Sequence, residues 1–359
     1  MNRKHIALAA ILAAILLSST YFFVLNNMNS KQTLTVFCAT SLQYPFHQVE
    51  EDFEKAYPNV DVHLEAHGTI QVIRHVTELN YKVDVVLVAD YSLIPRMMYT
   101  TKMPDSSQNY ADYYLRFATN TLVLAYTNRS DYASDINSDN WYQILTRPNV
   151  RLGYANPQLD ALGYRALMAI QLAENYYGVP RFFHDLITAN VNPPISSVPD
   201  GSNHTILVPE TQNSVGDKLT MRASEVDLIA LLETGYLDYC FLYLSNAQQY
   251  GFNYIELPNE INLGNSAYEN TYEQIQVKYD HQRFATVTLD RTGETIYYGL
   301  TIPNNAPNPK LAEDFIRFLL DGQGKNDFEN QHHPVFSPSY TDNLQAVPQS
   351  LRSLVVSEP

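Results

Sequence analysis

The chain has 359 residues, 45% of them hydrophobic and 17% charged, which is enough for two domains that each bury a core. A formal net charge of −15 excludes nucleic acid as a partner, since phosphate backbones demand Lys and Arg clusters that are absent, so any anion must be bound by local groups. Only two cysteines occur, Cys38 and Cys240, both in apolar runs; they form no disulfide framework and no zinc spacing and read as buried free thiols.

Residues 1–30 open with Arg3, Lys4 and His5 and continue as an uncharged run from Ile6 to Leu25, the pattern of an export signal or, at about 20 residues, of a retained membrane anchor. Either reading places the body of the chain outside the cytoplasm. TLTVFCA (33–39) is a strand that runs through Thr40-Ser41 into a helix with Pro45 near its start and Phe46, Val49, Phe53 and Tyr57 on one face. VDVHLEA (60–66) repeats the device, ending at His67-Gly68-Thr69 before a helix with Ile70, Ile73 and Val76 inward. VDVVLVA (83–89) is a third strand, ending at Asp90. The alternation calls for an α/β domain in which helices cover a largely parallel sheet.

Such sheets bind ligands beyond the carboxyl ends of their strands, where Ser41 and Thr69 both lie. Free backbone N–H groups at a helix start favour an anion, and the hydroxyls add neutral donors. Taken singly, each is an ordinary cap; the repetition points to a shared site.

TLVLAYT (121–127) is the next strand, followed by the polar segment NRSDYASDINSDN and a short helix at NWYQILTRP. VRLGYA (150–155) is a strand leading into NPQLDALGYRALMAIQLA, where Asp160 is the N-cap of a helix that carries Leu162, Leu167, Ile170 and Leu172 to about Tyr177. Residues 190–204, rich in Pro, Asn and Ser, read as a loop. Residues 224–244 read as a helix with Glu225 at its start, a turn at Gly235 and a strand with Tyr243 near its end. After the strand YIELP, TVTLD and YYGLTIP (286–303) look paired, NPKLAEDFIRFLL is an amphipathic helix, and the tail is Pro- and Ser-rich. Two α/β lobes joined by crossing strands at TLVLAYT and YYGLTIP account for this order, with a cleft between them as the pocket.

Each residue at that cleft also has a plainer role. Glu225 in a first helical turn complements the dipole, a contribution of about 0.3–1 kcal/mol. Tyr243 suits a core aromatic, Arg165 an ion-pair partner, Asp90 a turn cap, and His332-His333 a solvated loop. No GxSxG, HExxH, P-loop or dinucleotide fingerprint is present. Paired carboxylates can serve acid/base chemistry, but helix N-termini at Asp160 and Glu225 should hold both ionised.

VFCATSL, FEKAYPNVDV, HGTIQVIRHV, DVVLVADYSLIP, NPQLDALGYR, SEVDLIALLETGYLDYCFLY, YIELPNEINL and YGLTIPNNAP with FIRFLL occur in that order. Over about Thr33 to Pro338 the chain thereby resembles the periplasmic-binding-protein superfamily, specifically the archaeal-type molybdate/tungstate-binding proteins of ABC importers. The resemblance implies an α/β, two-lobed type II fold with mixed sheets flanked by helices, one lobe of residues 31–120 with 298–359, the other of 121–297, and the ligand in the cleft between them. It implies no cofactor, an exported monomer, and an ABC transporter permease as partner. It places carboxylate ligands to the metal of the oxyanion at Asp160 and Glu225, and donors to its oxo groups at Thr40, Ser41, Thr69, Ala161, Leu162 and Tyr243. The family commonly has Gly-Ser at Thr40-Ser41, Ser at Thr69, and Pro-Cys at Ala161-Leu162, departures that bear on affinity more than on ligand class. The alternatives are a binding protein for sulfate or phosphate and an extracellular hydrolase using Asp160 and Glu225.

Overall fold

The computed structural model describes residues 31–104, 106–280 and 290–358. The apolar leader and residues 286–289 of the expected TVTLD strand lie outside the described residues.

Strands β1 (Gln32–Ala39), β2 (Val60–His67), β3 (Val85–Val88), β4 (Leu115–Thr119), β16 (Tyr297–Thr301), β17 (Val335–Thr341) and β18 (Val355–Ser357) form one sheet, in the order β18-β17-β4-β16-β3-β1-β2. Its β2-β1-β3 side is parallel, as the strand and helix alternation requires, and β16 joins β3 and β4 antiparallel to both. Strands β5 (Leu122–Tyr126), β6 (Leu152–Ala155), β11 (Leu219–Arg222), β12 (Tyr239–Tyr243) and β13 (Asn253–Glu256) form a second, also mixed, sheet in the order β11-β6-β12-β5-β13. The chain passes from the first sheet to the second at Asn120-Thr121, between β4 and β5.

Residues 190–204, expected as a loop, instead contain β7 (Val191–Asn192) and β8 (Ser196–Asp200) and run into β9 (Asn203–Val208). β8 and β9 join β14 (Ile275–Tyr279) and β15 (Arg291–Thr292) in a four-stranded sheet, while β7 pairs with β10 (Asn213–Ser214). The tail holds a helix at Gln323–Asn330 as well as β17 and β18. Composition missed the strands among these elements because pairing with other strands, rather than intrinsic preference, makes them strands.

Helix α1 (Thr40–Ala56) buries Phe46, Val49 and Phe53 as its periodicity requires, and α2 (Thr69–Thr77) buries Ile70, Val72, Ile73 and Val76. Helix α3 (Ala161–Tyr177) is different: every residue from Ala161 to Ala173 is buried, because it packs on β6 and β12 from one side and on β14 from another. Helix α4 (Glu225–Thr234) ends at Gly235, and β12 follows. Cys38 and Cys240 are buried and free. His333 departs from the expected solvated loop: it is buried, its ring lies 4.6 Å from that of Phe328, and its Nε2 is 3.0 Å from Ser245 Oγ.

Candidate functional site

Four helix starts meet where the two large sheets face each other. β1 ends at Ala39 and α1 begins at once with Thr40 and Ser41; Gly68 separates β2 from Thr69 at the head of α2. From the other side, Asp160 caps α3, its Oδ1 accepting the Leu162 N–H at 3.0 Å, and Glu225 opens α4. Glu225 is tied to the end of β12, whose Tyr243 N–H donates to Oε1 at 3.1 Å. Bonds across the junction bring the starts together. The Thr40 hydroxyl reaches Asp160 Oδ2 at 3.4 Å, Ile70 N–H donates to Leu159 O at 3.1 Å, and Asn246 Nδ2 donates to Ser41 O at 3.2 Å.

Asp160 is 4% exposed and Glu225 1%. Burial pushes the Asp160 carboxyl up to about 6, against hydrogen bonds from the Leu162 and Glu225 N–H groups and the Thr40 hydroxyl. Glu225 is driven well above the usual carboxylate range by burial and then by the charge of Asp160, with only the Tyr243 N–H opposing. Burial thus works against the ionised form that the helix N-termini were expected to hold at both positions, and at Glu225 the charge of Asp160 adds to it. Among the described residues, Glu225 Oε2 is shielded from solvent with no hydrogen-bond partner.

The remaining expected residues take distinct places. Thr69 is fully buried, and its hydroxyl accepts the Ala89 N–H at 3.2 Å, which ties the head of α2 to the end of β3. Ala161 and Leu162 form the buried first turn of α3, the Leu162 N–H being committed to Asp160. The Tyr243 hydroxyl accepts from Arg165 Nη1 at 2.7 Å. Asp90 caps its turn as expected, accepting from Ser92 N–H and Oγ, and it also accepts from the Tyr164 hydroxyl. Sequence reasoning overlooked Asn246, whose signal was a polar residue two positions into the helix that follows β12, the same strand-to-helix arrangement that marked Ser41 and Thr69. Among the described residues no group of three or more His, Cys, Asp and Glu could hold a bare metal ion.

Two α/β lobes, with buried polar groups from both converging at the junction, define a receptor that encloses a small solute. The chain belongs to the bacterial extracellular solute-binding protein family, which it matches over residues 34–332; it is an extracytoplasmic binding protein and not an enzyme. It is 37% identical to an uncharacterized solute-binding protein of Methanococcus maripaludis over 99% of both chains. It is 38% identical to the molybdate/tungstate-binding protein WtpA of Pyrococcus abyssi, over 90% of this chain and 89% of the relative. The solved periplasmic molybdate-binding protein of Azotobacter vinelandii superposes with a TM-score of 0.54 at 12% identity, over 85% of this chain and all of that one, and establishes the type II periplasmic-binding-protein fold. Among the described residues no helix is long and apolar enough to cross a membrane.

Proposed function

We propose that this protein captures tungstate or molybdate between lobes of residues 31–120 with 298–359 and 121–297, and delivers it as a monomer to an ABC transporter permease. The observation that carries the reading is the pair of buried carboxyl groups brought together at the junction, with Glu225 Oε2 left unpartnered. A simple tetrahedral dianion gains nothing from such a centre and is repelled by it. A Mo(VI) or W(VI) centre is a hard cation inside its own oxo groups and accepts carboxylate oxygens, so Asp160 and Glu225 would complete its coordination. Sulfate and phosphate cannot expand in this way, and the same pair would act as a filter against them. Ser41, Thr40, Thr69 and the first-turn backbone at Ala161 would hold the oxo groups. Tyr243 would support Glu225 through its N–H. The Pyrococcus abyssi relative, which bears the molybdate/tungstate-binding name, supports the same ligand class.

Isothermal titration with tungstate, molybdate, sulfate and phosphate tests the reading: tight binding of the first two alone supports it, and equal binding of sulfate overturns it. Asp160→Asn combined with Glu225→Gln should weaken tungstate binding at least about tenfold, or about 1.4 kcal/mol, although it removes negative charge. Unchanged or tighter binding would rule out direct coordination by the carboxylates.

A further inference from the structure

We propose that Tyr164 and Arg165 are positioning residues that latch the two lobes shut around the solute without touching it. Both lie one turn beyond Asp160 on α3, and both reach across the cleft to the end of β3. The Tyr164 hydroxyl donates to Asp90 Oδ2. Arg165 Nη1 donates to Ala89 O at 2.7 Å. The receiving side is preset, because Ser92 N–H at 3.0 Å and Ser92 Oγ at 2.7 Å fix Asp90 Oδ1 and leave Oδ2 aimed at the tyrosine.

Three features make this a latch rather than ordinary packing. First, Asp90, Tyr164 and Arg165 are all buried, so their charge-assisted bonds form only when closure has expelled water. Burial opposes ionisation of Asp90, but Arg165 and Arg291 beside it, with the Tyr164 and Ser92 hydrogen bonds, hold its carboxyl below the usual range. Second, a buried charge is tolerated only with its partners in place, so a half-closed molecule would strand both Asp90 and Arg165; closure becomes two-state. Third, the latch is connected to the site. The nitrogen of Arg165 that reaches Ala89 also donates to the Tyr243 hydroxyl at 2.7 Å, and Tyr243 N–H holds Glu225 Oε1. Helix α3 itself carries Asp160 at its head. Ala89, in turn, donates its N–H to Thr69 Oγ1. Shutting the latch thus sets groups on both sides of the ligand in register. A ligand that pulls the lobes together needs less differential affinity if the closed state is already favoured, and loss of the latch appears mainly as faster release.

The inference rests on the solute-binding class of the protein and uses the oxyanion reading only for its probe. Tyr164→Phe removes one hydroxyl and keeps the ring. Stopped-flow exchange of tungstate should show dissociation about tenfold faster with association changed less than twofold. Pulsed electron resonance between spin labels at Glu51→Cys and Glu233→Cys, exposed sites on the two lobes, should show the ligand-free variant shifted towards longer separations than the wild-type background. A thermal midpoint within a few degrees of wild type separates this from a merely structural defect. Unchanged dissociation together with an unchanged distance distribution would overturn the latch. If the wild-type protein binds none of tungstate, molybdate, sulfate or phosphate, the oxyanion reading fails on its own, and the ligand-free distance distribution alone decides the latch.

Discussion

A carboxyl group that burial drives toward its neutral form is a poor structural device, and its retention in a site has an energetic signature. Burial pushes the Asp160 carboxyl in the folded chain up to about 6, from the ordinary aspartate value of about 3.8. Below the lower value both states hold the proton and the group is neutral to stability. As pH rises from there to about 6 the unfolded chain ionises first, so the folded state loses stability, on the order of 2–3 kcal/mol in all, and the loss is complete above the folded value. Asparagine keeps the oxygen that caps α3 at Leu162 but carries no charge to desolvate. Asp160→Asn should therefore raise the stability of the ligand-free protein at pH 7.5 by about 1–3 kcal/mol while weakening tungstate binding, and the gain should fade toward pH 4. Thermal melts at the two pH values check this. A variant less stable than wild type at pH 7.5 would mean that Asp160 is a structural anion after all.

At the scale of elements, the turn that delivers Asp160 is built to a tolerance set by a glycine. A Cβ on Gly163 would lie 2.3 Å from Ala155 O, 2.6 Å from Pro157 N and 2.7 Å from Asn156 C. All three are backbone atoms of the segment leaving β6, so no side chain can swing aside. Gly163→Ala should cost about 3 kcal/mol or more and lower the melting midpoint by several degrees even without ligand; a midpoint equal to wild type would show that the turn can move. The same stretch shows what was legible in the sequence. The β1-α1 and β2-α2 units, α3 to Tyr177 and α4 with β12 were readable, because buried strands followed at once by one-sided helices leave a strong local pattern. β8, β17 and β18 were not, since Ser and Pro interrupt β8 and β17, which pairing with β9 and β4 recruits, while β18 is only three residues long and is recruited by β17. In the site, the caps and hydroxyls could be found by spacing. The burial of both carboxylates and the Asp160 charge that makes Glu225 unfavourable come from α3 and α4 meeting across space, which no local window contains.

For the molecule as a whole, solute capture depends on how closely the lobes approach, and one contact isolates that variable. Gly68, at the head of α2, sits at φ −56° and ψ 142°, a conformation open to any residue, so alanine there strains no backbone. Its added Cβ would lie 2.4 Å from Leu159 O, on the opposite lobe, in the segment immediately before Asp160. The collision exists only when the lobes are shut, where Ile70 N–H and Leu159 O come to 3.1 Å. The ligand-free protein can avoid it by opening, at no cost to either core. Gly68→Ala should therefore leave the ligand-free melting midpoint near wild type while weakening tungstate binding about tenfold or more, because part of the ligand's preference for the closed state is consumed in overcoming the clash. The thermal stabilisation that saturating tungstate confers should shrink in step with the affinity. If the variant bound tungstate as tightly as wild type, the approach of α2 to Leu159 would not be part of the binding-competent state, and capture would have to be achieved by a looser closure than the one in which Thr40 reaches Asp160.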